Sequence, residues 1–226
     1  VVRYLGADPV FVDVDPDTYC IDPALIGSAI TAKTRLLLPV HFAGLACDMS
    51  ALCSIAKEHG LEIVEDAAHA FPTRCRGEFV GQLDTAATVF SFYANKTIAT
   101  GEGGMLVTRR PDVAKRARIM RLHGIDRDAF NRFTSKTPAW FYEVVAPGFK
   151  YNMPDIAAAL GLQQLRKIDR FQARREELAD RYDRGLSGLP VRAAPRPADP
   201  ASTHAWHLYV VQVLPSARLD RDAVIQ

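Results

Sequence analysis

The stretch DMSALCSIAKEHGLEIVED, residues 48–66, decides how the rest of the chain is read. It begins at Asp48, carries apolar residues at helical spacing and reaches Gly60, a residue suited to the left-handed cap that ends helices. The six residues LEIVED that follow predict a strand closing in two acids. Working outward, RLLLPV (35–40) and PVFVDV (9–14) predict two earlier strands. DPALIGSAI (22–30) predicts a helix with Asp22 as N-cap and Pro23 at its first position. Downstream, TAATVFSF (85–92) and GGMLVT (103–108) predict strands, and PDVAKRARIMRLHG (111–124) a basic amphipathic helix opened by Pro111. Strands alternating with helices argue for an α/β layer structure with a mostly parallel sheet.

Residues 123–153 are long, aromatic and marked by Pro and Gly without sustained periodicity; such a loop is functional or packed on a partner. From Pro154, DIAAALGLQQLRKIDRFQARREELADRYDRGL predicts one long helix, apolar at first and charged later, leaving a core to bridge into another domain. LPVRAAPRPADPAS (189–202) is a Pro-rich linker, and HAWHLYVVQVL (204–214) predicts the first strand of a smaller domain.

The 226 residues carry 28 Lys and Arg against 26 Asp and Glu, and a formal net charge of +2 gives no electrostatic case for a nucleic-acid partner. Apolar runs are too short and interrupted for a membrane span. Cys20, Cys47, Cys53 and Cys75 form no C-x-x-C pair and have no companion histidines at zinc spacing, so they read as reduced thiols in a cytoplasmic protein, with no metal site. The chain opens without Met inside a structured element and stops in a fresh helix, so it reads as a segment truncated at both ends.

Asp66 ends a strand, where a half-buried carboxylate needs a partner. It either caps the turn starting at Ala67 or faces a protonated ring nitrogen. Lys96 follows the next core strand, so both groups can reach one sheet edge. A lysine there is either solvated or an amine held for attack on carbonyls. Ser91, between Phe90 and Phe92, is a tolerated strand residue or a phosphate donor. Together, an acid for a ring nitrogen, a hydroxyl for a phosphate and a Schiff-base lysine make a pyridoxal-phosphate site.

The block VEDAAHAFPTRCRGEFVGQLDTAATVFSFYANKTIATGEGGMLVT resembles the active-site block of the DegT/DnrJ/EryC1/StrS family, the pyridoxal-phosphate-dependent sugar-nucleotide aminotransferases. The likeness extends through FVDVDPDTYCIDP, PVHFAG, RLHGIDRDAF and PGFKYNMPDIAAALGLQQL to HAWHLY. The resemblance implies the three-layer α/β/α large domain of type I pyridoxal-phosphate enzymes over residues 1–170, a connecting helix and linker over 171–200 and the start of a small domain over 201–226. It implies that Lys96 carries the cofactor, Asp66 pairs with the pyridine nitrogen, His69 lies beside the ring and its phenolic oxygen, and Ser91 binds the phosphate. Asn152 matches an asparagine that reaches the phosphate of a neighbouring subunit, implying a homodimer with shared sites. It further implies L-glutamate as amino donor and a nucleotide-linked keto sugar as acceptor; the segments EVVAPGFKYNMPD and HAWHLY most resemble enzymes of UDP-linked 4-keto sugars, including the aminoarabinose type. The family's Gly-Thr phosphate turn, and an aromatic covering the ring, precede this chain, so its site is expected to be incomplete.

His41, His204 and His207 are candidate substrate residues, each with a structural role as alternative. His123 and Arg127 either steer acidic substrates or are solvated. Arg74 and Arg76 read as hairpin charges. TGEGG (100–104) lacks the dinucleotide-binding pattern and reads as a tight turn, where Glu102 is a solvated acid or pairs with a base. A sugar dehydratase of the same fold, which replaces the lysine with histidine, a nucleotide-binding oxidoreductase, against which the missing glycine fingerprint weighs, and a non-catalytic cofactor-binding regulator are the rival readings.

Overall fold

Asp22 and Asp48 start the two helices that close the main core. Asp22 accepts from the Ala24 amide at 2.9 Å, with Pro23 at the first position of α1 (Pro23–Ala29). A short strand, β1 (Leu36–Leu37), leads to α2 (Met49–His59), where Asp48 accepts from the Ala51 amide at 3.1 Å and Gly60, at φ 63°, ends the helix. Both caps satisfy backbone donors that helix geometry leaves free. Met49, Leu52 and Ala56 of α2 pack with Cys20, Ile26, Leu37, Cys47 and Ile63.

The computed structural model describes residues 1–126 and 142–226. After α2 come β2 (Glu62–Asp66), the hairpin β3 (Arg74–Cys75) and β4 (Glu78–Phe79), then β5 (Ala87–Ser91) and β6 (Gly104–Val107). The main sheet has the order β1-β2-β5-β6, parallel at its first two junctions and antiparallel at the third. This is a mixed α/β fold with a mostly parallel sheet. Along its strands Leu37, Ile63, Glu65, Thr88 and Phe90 are buried, whereas Leu36, Leu38, Val40 and Val89 on the alternate face are 40–47% exposed. By the same alternation Asp66 and Ser91 belong to that second face. No helix among the described residues is long and apolar enough to cross a membrane.

Helix α3 (Pro111–Met120) starts at its proline as expected. The long helix expected from residue 155 is two: α4 (Asp155–Leu165) and α5 (Ile168–Leu186), parted at Lys167, whose φ of −106° and ψ of 0° leave the helical range. The two turn different faces to their neighbours. Gly161 of α4 lies against Thr100, where an added Cβ would stand 3.0 Å from its methyl, while α5 directs a polar edge at residues 204–209.

Two predicted strands take other forms. Residues 9–14 pair with no described strand; only Val14 bridges to Ile21, and Phe11 is 91% exposed. Of residues 204–214 only Gln212–Val213 form a strand, β8, paired antiparallel with β7 (Val191–Arg192) inside the expected linker. Residues 204–208 instead cross the turn at residues 42–44, with the amides of Ala205 and His207 bonded to the carbonyls of Gly44 and Ala43. The chain ends in α6 (Arg221–Ile225). The predicted hairpin charges sit on β3 and its turn: Arg74 lies over the Phe79 ring at 3.6 Å and Arg76 is exposed.

Candidate active site

Parallel pairing brings the ends of β2 and β5 to one edge, with Asp66 in register with Val89 and Ser91 two residues beyond. Past β5 the chain is pinned on both sides of Lys96. The Lys96 amide bonds to the Tyr93 carbonyl at 2.9 Å and the Thr100 amide to the Phe92 carbonyl at 2.8 Å, while Thr97, Ile98 and Thr100 are buried. The Thr100 hydroxyl donates to the Glu102 carbonyl at 2.8 Å, closing the glycine turn into β6. Lys96 is half-buried, and among the described residues its amine has neither ion pair nor hydrogen bond.

Asp66 takes the capping role that its place in the sequence left open, and keeps one oxygen over. Its Oδ1 accepts from the Ala68 amide at 3.0 Å, capping the turn that follows, and its second oxygen has no partner among the described residues. His69 stands three residues on. Its Nδ1 accepts from the Ala43 amide at 3.2 Å, which assigns the ring proton to Nε2. Burial pushes the His69 pKa down, the Lys96 charge adds to this and Asp66 opposes it, so all three groups lie within electrostatic reach of one another. The Ser91 hydroxyl accepts from the Tyr93 amide at 3.3 Å and keeps its own proton to donate. Asn152, just before α4, accepts through Oδ1 from the Lys150 amine, and the neighbouring Met153 lies against Gly103.

The three candidate substrate histidines part company. The His207 ring lies 4.4 Å from that of His69, tilted by 40°, and is held neutral, its pKa lowered to about 4 by burial and by the His69, Lys96 and Arg175 charges. It belongs to the cluster. His41 is fully buried beneath the sheet, with Nε2 bonded to Glu65 at 2.9 Å and Nδ1 accepting from the Cys47 amide at 3.1 Å. Both ring nitrogens are spent inside the fold, as the structural alternative has it. His204 is also buried: Nδ1 accepts from the Trp206 amide at 2.8 Å and its ring lies flat on Trp206. His123, with φ 57°, is exposed, and Arg127 lies outside the described residues.

Sequence reading missed the turn at residues 42–44, the joint of the site. It receives Ala205 and His207, donates to His69, and takes the Thr73 hydroxyl on the Gly44 carbonyl at 2.7 Å. Its signal was the glycine of PVHFAG. Glu65 was missed too: it is wholly buried behind Asp66 and accepts from Thr85, Thr88 and His41. Burial raises its pKa, and those hydrogen bonds outweigh burial and leave it lowered. Among the described residues no group of three or more His, Cys, Asp or Glu could hold a metal ion.

The chain is similar to known proteins along its whole length. The model of the DegT/DnrJ/EryC1/StrS aminotransferase family matches residues 1–226. The spore coat polysaccharide biosynthesis protein SpsC of Bacillus subtilis is 47% identical over 212 residues, 94% of this chain and 54% of SpsC. Spr1654 of Streptococcus pneumoniae, solved in its PLP-form, superposes with a TM-score of 0.81 at 32% identity, over 94% of this chain and 56% of that one. PseC of Helicobacter pylori, an aminotransferase involved in the biosynthesis of pseudoaminic acid, gives 0.83 at 29% identity, over 95% and 54%. The chain spans about half the length of the curated relatives it matches.

Proposed function

We propose that this chain, which belongs to the DegT/DnrJ/EryC1/StrS aminotransferase family, carries the lysine-bearing half of a pyridoxal-phosphate site. That site moves an amino group from L-glutamate to a keto group of a nucleotide-linked sugar. The observation that carries this reading is a set of four unspent groups at one sheet edge: the second Asp66 oxygen, the His69 Nε2 proton, the Ser91 hydroxyl proton and the Lys96 amine. They match in kind a ring nitrogen, a phenolic oxygen, a phosphate and an aldehyde, so the residues present fit the cofactor.

When bound, pyridoxal phosphate supplies an electrophilic carbonyl and an electron-withdrawing ring. Lys96 would hold that carbonyl and, once displaced by the amino donor, take and return a proton through Nζ. Asp66 would keep the ring nitrogen protonated through its free oxygen, with the capped turn fixing the other. His69 would donate from Nε2 to the phenolic oxygen and Ser91 to the phosphate, joined there by the partner subunit's Asn152. His207, packed against His69, would shield the site from water and face the sugar. In this reading residues 1–170 belong to the large domain, 171–200 are the connecting helix and linker, and 201–226 begin a smaller domain. SpsC's role in a coat polysaccharide supports a sugar acceptor, with a UDP-linked 4-keto sugar as the specific form.

Borohydride reduction of the full-length protein with pyridoxal phosphate, followed by peptide mass spectrometry, is expected to place the label on Lys96. The Lys96→Ala variant should take no label and transfer no amino group from glutamate to any of a panel of UDP- and dTDP-keto sugars. Full transamination by that variant would overturn the assignment.

A further inference from the structure

Arg175 sits midway along α5 and reaches the lysine segment, with Nη2 donating to the Thr97 carbonyl at 2.8 Å. It is half-buried, has no carboxylate partner among the described residues, and its Nη1 is buried without a hydrogen bond. Burial lowers its pKa, a cost that a surface arginine avoids. Its neighbours along the same edge of α5 hold the other wall of the site. Gln172 donates to the His204 carbonyl at 2.6 Å, Glu176 accepts from the Trp206 indole, and Asp183 accepts from the Tyr209 hydroxyl at 2.6 Å. Residues 172, 175, 176 and 183 follow helical spacing, so one rigid element grips residues 204–209 and the peptide after Lys96 together.

We propose that Arg175 is a positioning residue for Lys96, and that α5 uses it to couple the lysine segment to the segment bearing His207. Local bonds alone leave the Thr97 carbonyl, which follows Lys96 directly, open to rotation; a charged donor fixed on a helix removes that freedom. The Arg175 charge also acts on His207, after burial, His69 and Lys96, so one side chain addresses both walls. The proposal rests on Lys96 being the reactive amine, but the coupling itself is independent of the chemistry.

The test compares Arg175→Met, Arg175→Lys and, as control, Arg174→Met, whose guanidinium pairs with Glu177 on the outer side of α5. Full-length protein is followed by hydrogen exchange at the Lys96 and Thr100 amides, by melting temperature and by kcat and KM. A hydrogen bond from a charged donor corresponds to roughly 10- to 100-fold in a local opening equilibrium. Exchange at those two amides is therefore expected to accelerate by that order in Arg175→Met, with kcat falling more than KM changes, Arg175→Lys largely restoring both and Arg174→Met matching wild type. Unchanged exchange at residues 96–100, or a loss shared evenly by all of α5, would overturn it. Faster exchange with unaltered kcat would also overturn the positioning role, whereas Lys96 as the reactive amine stands or falls separately, on the borohydride label.

Discussion

At the scale of single residues, the site depends on positions whose backbone or protonation the fold has fixed. Gly44 has φ +105°, and an added Cβ would stand 3.0 Å from both the Ala205 Cβ and the His69 carbonyl. Gly44→Ala is expected to cost upwards of about 1 kcal/mol in stability. Because the displaced atoms belong to the segments proposed to face the cofactor, it should also weaken pyridoxal-phosphate binding by about fivefold, equivalent to about 1 kcal/mol. Melting curves and a cofactor titration of the full-length variant separate the two effects; a lowered melting temperature with unchanged affinity would make Gly44 a turn residue only. His204 supplies a pH prediction. Burial, then the Arg196 charge, depresses its pKa from 6.5 to about 3. The unfolded chain therefore takes up a proton below pH 6.5 that the folded one refuses, and stability falls as pH drops from 6.5 towards 3. By pH 5 that loss is about 2 kcal/mol. His204→Asn keeps an acceptor for the Trp206 amide and removes the titration, so urea unfolding at pH 7 and pH 5 should show a smaller acid loss than wild type. His207, depressed in the same direction, remains to sustain part of it.

At the scale of elements, α5 is the member on which the rest hangs. Arg196 reaches Glu176, Asp180 and Asp183 on its surface while lying 4.9 Å over the Trp206 ring. Arg196→Met would leave three carboxylates facing one another on one helix edge and unclamp Trp206. A loss of about 1–2 kcal/mol is expected at low salt for such a part-exposed network, narrowing in 1 M NaCl as the repulsion is screened. Thermal unfolding of both proteins across salt concentrations reads this directly, and a gap insensitive to salt would assign the loss to packing on Trp206. None of this was legible in the sequence. Caps and alternation made α1, α2, β2 and β5 readable, because Asp22, Asp48 and Gly60 act on their own helices and period-two burial acts along one strand. The break at Lys167 and the fate of residues 204–214 depend on partners distant in sequence: RK is no helix breaker, and HAWHLY has strand-like residues that bond across the turn at 42–44 instead of into a sheet. Residues 9–14 failed for the matching reason, since their alternating valines find no described strand to pair with.

At the scale of the whole molecule, the open question in the site is which chain completes it. Lys96, Asp66, His69 and Ser91 gather at one edge of the sheet through parallel pairing within a single chain; order and spacing made Asp66, Ser91 and Lys96 visible in the sequence, and the family resemblance added His69. Asn152 differs: its placement comes from the segment before α4, tied to residues 121–123 by the Leu122–Lys150 bridge, and its carbonyl oxygen is occupied by Lys150. If Asn152 serves the partner subunit's phosphate, a two-fold dimer builds each site from the lysine of one chain and the asparagine of the other. Co-expressing full-length Lys96→Ala and Asn152→Ala then yields heterodimers in which one site carries both defects and the other carries neither. Random pairing makes half the dimers mixed, with one intact site of two, so about a quarter of wild-type activity should return although each variant alone is impaired. If Asn152 acts within its own chain, every site in the mixed dimer carries one defect and nothing is regained. Activity of the tag-purified heterodimer, measured against both parents, distinguishes the two arrangements.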